Sequence, residues 1–396
     1  MSLIRSLLRV LGLSTVFALA VTLASSVSVA DDVLGPKKVM VLRIHFHDYA
    51  ATSRYTKAQV EGFFGDLDHL WQHTSYAKIS VNSVVSDLYQ LPDNRSAYID
   101  DFGDGDLSGG GKFGKVLEDA INASPGGLDW ADVDHVMVVM AETDATQFHR
   151  GQGGTCNLPM GPGGAVKYVG CAIFSENPSS PDVSVWGRWG HEMGHAFQQS
   201  GPPHPSNYNS NFELMDASLP GQTGPFEKQA NQGFPGWLPP SKYQVVSCAK
   251  GGETASLYAM EYDPAGKPNP QALKVTLTGS FYYLVSVRRR VLGDDLNPSF
   301  VPAGIPDEGV ILERVNEGGD PVVKVIGRNQ VATCAGACNR NELWKEGDQF
   351  SGDGLNIGIT KKFDNDDYLV TVRCNDQALQ PDVMRSEERR VGKECA

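Results

Sequence analysis

The chain has 396 residues, a formal charge of −13 and a hydrophobic fraction of 41%. So acidic a protein is not expected to bind nucleic acid or an anionic membrane, because both repel a net anion. The length allows two domains, each with its own core.

Residues 1–30 read as an export signal. Arg5 and Arg9 form a basic start, residues 16–23 an apolar centre, and Ser28-Val29-Ala30 a run of small residues for cleavage. No other segment reaches the length of a membrane span, so the expected protein is secreted, extracellular and not embedded. At the other end, residues 385–396 resemble the translated read-through of a sequencing adapter and are set aside as non-native. Without Cys395, the seven cysteines reduce to Cys156, Cys171, Cys248, Cys334, Cys338 and Cys374. An even set in an exported chain predicts disulfides. Cys156 and Cys171 are expected to close a Gly/Pro-rich loop; the remaining pairings, like the oligomeric state, are left open.

In chain order, residues 38–46 alternate and are β-branched, which predicts a strand. Residues 55–71 carry Val60, Phe63, Phe64, Leu67 and Leu70 at helical spacing. Residues 78–91 read as one or two strands, 113–121 as a short helix and 133–140 as a buried strand. Strand, helix, strand, helix, strand describes an α/β layer. Residues 100–106, Asp-Asp-Phe-Gly-Asp-Gly-Asp, offer carboxylates for calcium but lack the EF-hand spacing, and a solvated acidic loop is the preferred reading. His45, His47, His69, His73, His135 and His149 lack ligand spacing with one another and are read as structural.

The chemistry concentrates at His191-Glu192-Met193-Gly194-His195. On a helix, residues four apart stand one turn above each other, so His191 and His195 present their imidazoles to one point. That pair suits Zn2+, and Glu192 lies where a carboxylate takes a proton from a water polarised by the ion. A catalytic zinc site needs a third protein ligand and one position left over. His204, in Gly201-Pro202-Pro203-His204, is the first choice, with Glu213 and Asp216 as alternatives.

Past a Gly/Pro-rich stretch at 220–240 the texture changes. Residues 271–277, 280–290, 309–315, 321–326, 355–360 and 368–373 are strand-like runs between turns, without helices, which predicts a β-sandwich. The expected division is 1–30 signal, 31–245 catalytic domain, 246–384 β-rich domain and 385–396 read-through.

The chain resembles secreted zinc metallopeptidases of the immune inhibitor A and gametolysin type. The likeness rests on KVMVLRIHFHD, SYAKISVNSVVSDLYQLP, HEMGH, ELMD and GWL in order, then on SFYYLVSVRRR, GVILERVN, LWKEGDQF and YLVTVRC. It implies an α+β fold: a metzincin-like zincin domain with a mixed sheet and an active-site helix, then a β-sandwich-like domain. It also implies His191 and His195 as zinc ligands, Glu192 as base and Met215 as the methionine turn. The chain departs from the family at Gly201, where members place His or Asp, and in the short interval between Ala30 and Lys38, which leaves no room for a prosegment. The expected function is a zinc-dependent endopeptidase acting on extracellular proteins or peptides. The alternative is an exported adhesin whose metal site is vestigial.

Overall fold

The computed structural model describes residues 34–49, 53–99, 112–126, 128–130, 132–141, 151–159, 166–176, 185–197, 204, 213–217, 228, 237–278, 280–289, 308–319, 321–328, 343–365 and 367–375. The leader, the acidic 100–106 stretch, Cys334, Cys338, Gly201 and the 385–396 tail lie outside these residues.

Strand β1 (Gly35–His45) is buried along nearly its whole length, as a central strand covered on both faces must be. Helix α1 (Lys57–Thr74) starts at a capping box, in which the Thr56 side chain accepts from the Gln59 backbone and Gln59 reaches back to Thr56. Val60, Phe64, Leu67, Leu70 and Trp71 form its buried stripe. The return to β2 (Ile79–Gln90) passes through Tyr76 and Ala77 at φ +57° and +58°, and β2 lies parallel to β1. Helix α2 (Lys112–Asn122), β3 (His135–Met140), β4 (Gln152–Pro159) and β5 (Val166–Ser175) complete a sheet of order β2-β1-β3-β5-β4. All its strands are parallel except β4, which pairs antiparallel with β5 at the edge.

Alternate residues of the central strands feed two cores. Val39, Val41, Met137, Val139, Ala172 and Phe174 pack under α1 and the histidine-bearing helix α3 (Val185–Phe197). Met40, Leu42, Ile44, Val136, Val138 and Ile173 pack against Val116, Leu117 and Ile121 of α2 on the other face. The histidine helix is therefore bolted to one face of a mostly parallel sheet, beside its antiparallel edge.

The later half is made of strands. β6 (Tyr243–Ser247), β8 (Ala272–Thr276), β9 (Phe281–Arg288), β10 (Gly309–Asn316) and β11 (Val323–Val325) form one sheet, ordered β11-β10-β9-β8-β6. β7 (Gly252–Leu257), β12 (Gln349–Gly352), β13 (Leu355–Lys362) and β14 (Tyr368–Cys374) form another, ordered β12-β13-β14-β7. Leu273, Tyr283, Val285 and Leu312 of the first share a core with Leu257, Ile357, Val370 and Val372 of the second, so the two sheets make a sandwich.

Two disulfides are present among the described residues, Cys156–Cys171 and Cys248–Cys374. The expected Cys156–Cys171 bond is present: residues 152–159 and 166–175 are paired strands, and the disulfide ties the edge strand to its neighbour, while the Gly/Pro-rich residues 160–165 between them lie outside the described residues. Such bonds belong to oxidising compartments. Among the described residues no helix is long and apolar enough to cross a membrane.

Candidate metal centre

Helix α3 divides its faces cleanly. Trp189, Met193, Ala196 and Phe197 enter the core, where the Trp189 ring stacks on Phe174 at 5.3 Å and Phe197 meets Trp71 edge-on at 5.1 Å. The opposite face carries His191 and His195, whose Nε2 atoms stand 3.1 Å apart. The ring of His204 stacks on His191 at 5.0 Å and meets His195 edge-on at 4.7 Å. One nitrogen from each of the three histidines lies within 4.8 Å of the other two.

Two successive backbone carbonyls set the tautomers. His191 Nδ1 lies 2.8 Å from the Leu214 carbonyl oxygen, and His204 Nδ1 lies 2.6 Å from that of Met215. A carbonyl oxygen only accepts, so both Nδ1 atoms carry the proton and both Nε2 atoms keep a lone pair. Anchoring one ring nitrogen to leave the other for a metal is the usual outer-shell arrangement of metal-binding histidine. A tetrahedral zinc site with Zn–N bonds near 2.0–2.1 Å separates two imidazole nitrogens by about 3.3–3.4 Å. The observed Nε2 spacing is close to that edge, and three neutral imidazoles are a donor set that suits zinc. The residues fit the ion.

Electrostatics agree. Burial holds His195 down to about 3 and His191 well below the ordinary histidine value. His204 is lowered by burial as well, against the pull of the Met215 carbonyl. All three imidazoles are thus neutral at pH 7, the state that coordinates. Glu192 is 5% exposed, and burial pushes its carboxyl up to about 8, opposed by Arg188 and by the Gly153 backbone N–H.

Close approach explains several glycines. A Cβ on Gly153 would strike the Glu192 carbonyl oxygen and come within 2.6 Å of the His195 Cβ. One on Gly151 would overlap the Glu192 side chain, and one on Gly170 the Ala196 carbonyl. Beneath the histidines, a Cβ on Gly194 would meet the Met215 sulfur and lie 2.9 Å from its methyl carbon. Met215 is fully buried on the single helical turn α4 (Leu214–Ala217), where its sulfur packs against Gly194 of the histidine helix.

Of the residues singled out from sequence, His191, His195, His204, Glu192 and Met215 come together. Glu213 and Asp216 do not join the histidine cluster: Glu213 is buried and paired with Arg288 at 3.3 Å, and Asp216 is buried in the same turn. His45 and His47 bond elsewhere, to the neighbouring Phe46 carbonyl at 3.0 Å and to the Asn94 side chain, 47 residues on, at 3.2 Å. Sequence reasoning missed the edge strand β4 and its glycines. Their one signal is the alternation of Gly151 and Gly153, which puts both on a single face of a strand.

No family model matches this chain, and no curated protein matches it significantly.

Proposed function

We propose that the chain is a secreted zinc endopeptidase of the metzincin-like type, resembling immune inhibitor A and gametolysin. The observation that carries this reading is the convergence of His191, His195 and His204 with the buried carboxyl of Glu192 alongside. When bound, zinc would supply Lewis-acid polarisation of the scissile carbonyl and of the attacking water. His191, His195 and His204 are the residues that would hold it. Glu192 takes the proton of that water and delivers it to the departing amine, the general base and acid of one cycle. The Gly153 N–H favours the ionised form of Glu192 and aims its carboxylate. β4 supports a peptide substrate: it lies at the sheet edge beside α3, and a peptide laid along it as an added strand passes close to Glu192. The two disulfides agree with an extracellular setting.

Zinc content measured beside casein or gelatin hydrolysis, with and without chelator, tests the proposal. Hydrolysis that chelator abolishes and zinc restores is expected. A zinc-loaded, folded protein that cleaves neither substrate would instead favour the binding-protein alternative.

A further inference from the structure

The turn that holds two of the three histidines is itself held from the sandwich. Glu213 immediately precedes Leu214 and Met215, whose carbonyls accept from His191 and His204. The Glu213 carboxylate is buried and receives Arg288 Nη1 at 3.3 Å from the end of β9. Arg288 is fully buried, and its Nε donates to Glu261 at 2.8 Å, whose other carboxylate oxygen accepts from the Arg289 backbone N–H at 2.9 Å. Glu313 of β10, also buried, shares a side-chain hydrogen bond with Glu213, and burial raises its carboxyl. Three carboxyls around one guanidinium make a desolvated nest, whose partners cannot rotate away without stranding a charge.

Resting on the zinc-site reading above, we propose that Arg288 is a positioning residue for the metal centre: through Glu213 it fixes the Leu214–Met215 turn and so aims His191 and His204. The sandwich is then a working part of the site rather than a detachable binding module. The planar guanidinium matters, because it engages Glu213 and Glu261 through different nitrogens at once, which an ammonium point charge does only in part.

The test uses the full chain carrying Arg288→Gln, Glu213→Gln, both together, and Arg288→Lys. Zinc affinity is read by chelator competition, site geometry by the visible absorption of the cobalt-substituted protein, and folding by circular dichroism. Each single Gln variant is expected to lower zinc affinity by about tenfold or more, as losing an outer-shell support does. The cobalt spectrum should shift, and the double variant should resemble the singles, because both remove one linkage. Arg288→Lys should recover part of the loss. Tyr283→Phe, which removes a 2.7 Å bond to Asp353 within the sandwich, should leave zinc affinity unchanged. Since arginine does not ligate zinc, a loss in Arg288→Gln reports positioning and not coordination by the substituted side chain. If Arg288→Gln fails to fold, Arg288→Lys and Glu213→Gln decide. Wild-type affinity and spectrum in a folded Arg288→Gln or Glu213→Gln variant would overturn the proposal. Zinc binding without proteolysis would sink the peptidase reading alone, whereas unchanged variant affinity in an active protease would sink this one alone.

Discussion

Gly153 and His195 are so close that no methyl group fits between them: a Cβ on the glycine would sit 2.6 Å from that of the histidine. The edge strand and the histidine helix are therefore packed as one unit, and Gly153→Ala must push them apart. We expect it to cost about 1–3 kcal/mol, typical of overpacking, and to weaken zinc binding. Gly154→Ala, where a Cβ meets nothing within 4 Å, is the matched control and should do neither. Denaturant midpoints and chelator competition on the two variants check this.

Beneath the site, Gly194 and Met215 should behave as a coupled pair. Gly194→Ala drives a methyl into the Met215 sulfur. Met215→Ala alone opens a cavity, at about 2–5 kcal/mol for a buried methionine. Together they should cost less than the sum of the singles, because each relieves the other. Strict additivity in a double-mutant cycle would mean that the contact is not felt.

Zinc uptake should release a proton from Glu192. Burial pushes that carboxyl up to about 8, so in the metal-free cleft at pH 7 it is mostly protonated. A dication alongside favours the ionised form, whereas the histidines are already neutral and have no proton to give. Calorimetry in buffers of different ionisation enthalpy should find about one proton fewer released by Glu192→Gln than by wild type. That variant should also lose peptide hydrolysis while still binding zinc. Equal proton release would remove Glu192 from the ion's neighbourhood.

Acid should destabilise the metal-free protein early. Burial holds His135 and His195 down to about 3, so they stay neutral in the fold where the unfolded chain takes up protons. The unfolded state then binds more protons, and stability falls as pH drops from about 6.5 towards 3, by at most ~1.4 kcal/mol per pH unit for each such histidine. Glu192 and Glu313 work the other way: the fold keeps their protons from 4.5 up to about 8 and about 7, so their penalty grows as pH rises. With His191, which burial also holds well below the ordinary value, three histidines outnumber these two carboxyls below neutrality. Urea midpoints that stay flat from about pH 6.5 to 4.5 would contradict this.

The two disulfides should differ in worth. Cys248–Cys374 spans 126 residues and Cys156–Cys171 only 15, so opening the first frees more of the unfolded chain. Loop entropy gives about 5 kcal/mol against about 3 kcal/mol. Paired Cys→Ala variants compared by denaturant unfolding should rank in that order. The shorter bond should matter more for activity, because it secures the strand that meets Glu192.

Much of this was legible in the sequence, and the failures have physical reasons. The apolar stripe of α1 announced itself because Val60, Phe64, Leu67 and Leu70 face one core at helical spacing. The histidine helix was equally plain, and His204, singled out by the displaced G-x-x-H step of Gly201-Pro202-Pro203-His204, does lie beside the other two imidazoles. β4 was not, because its glycines have poor strand propensity; they are there to let α3 approach, and packing overrode propensity. Arg288 was invisible for another reason. In SFYYLVSVRRR it looks like the charged, solvent-facing end of a strand, while the carboxylates that bury it are 27 and 75 residues away in sequence.

The most direct test of the whole account is the zinc content of the purified, folded protein, wild type beside His204→Ala. One tightly held zinc per chain in the wild type, and its loss or severe weakening in a His204→Ala protein of native circular dichroism, is the predicted result. A wild-type protein that stays empty when zinc is supplied, or a His204→Ala variant that holds the ion as tightly as wild type, would contradict it.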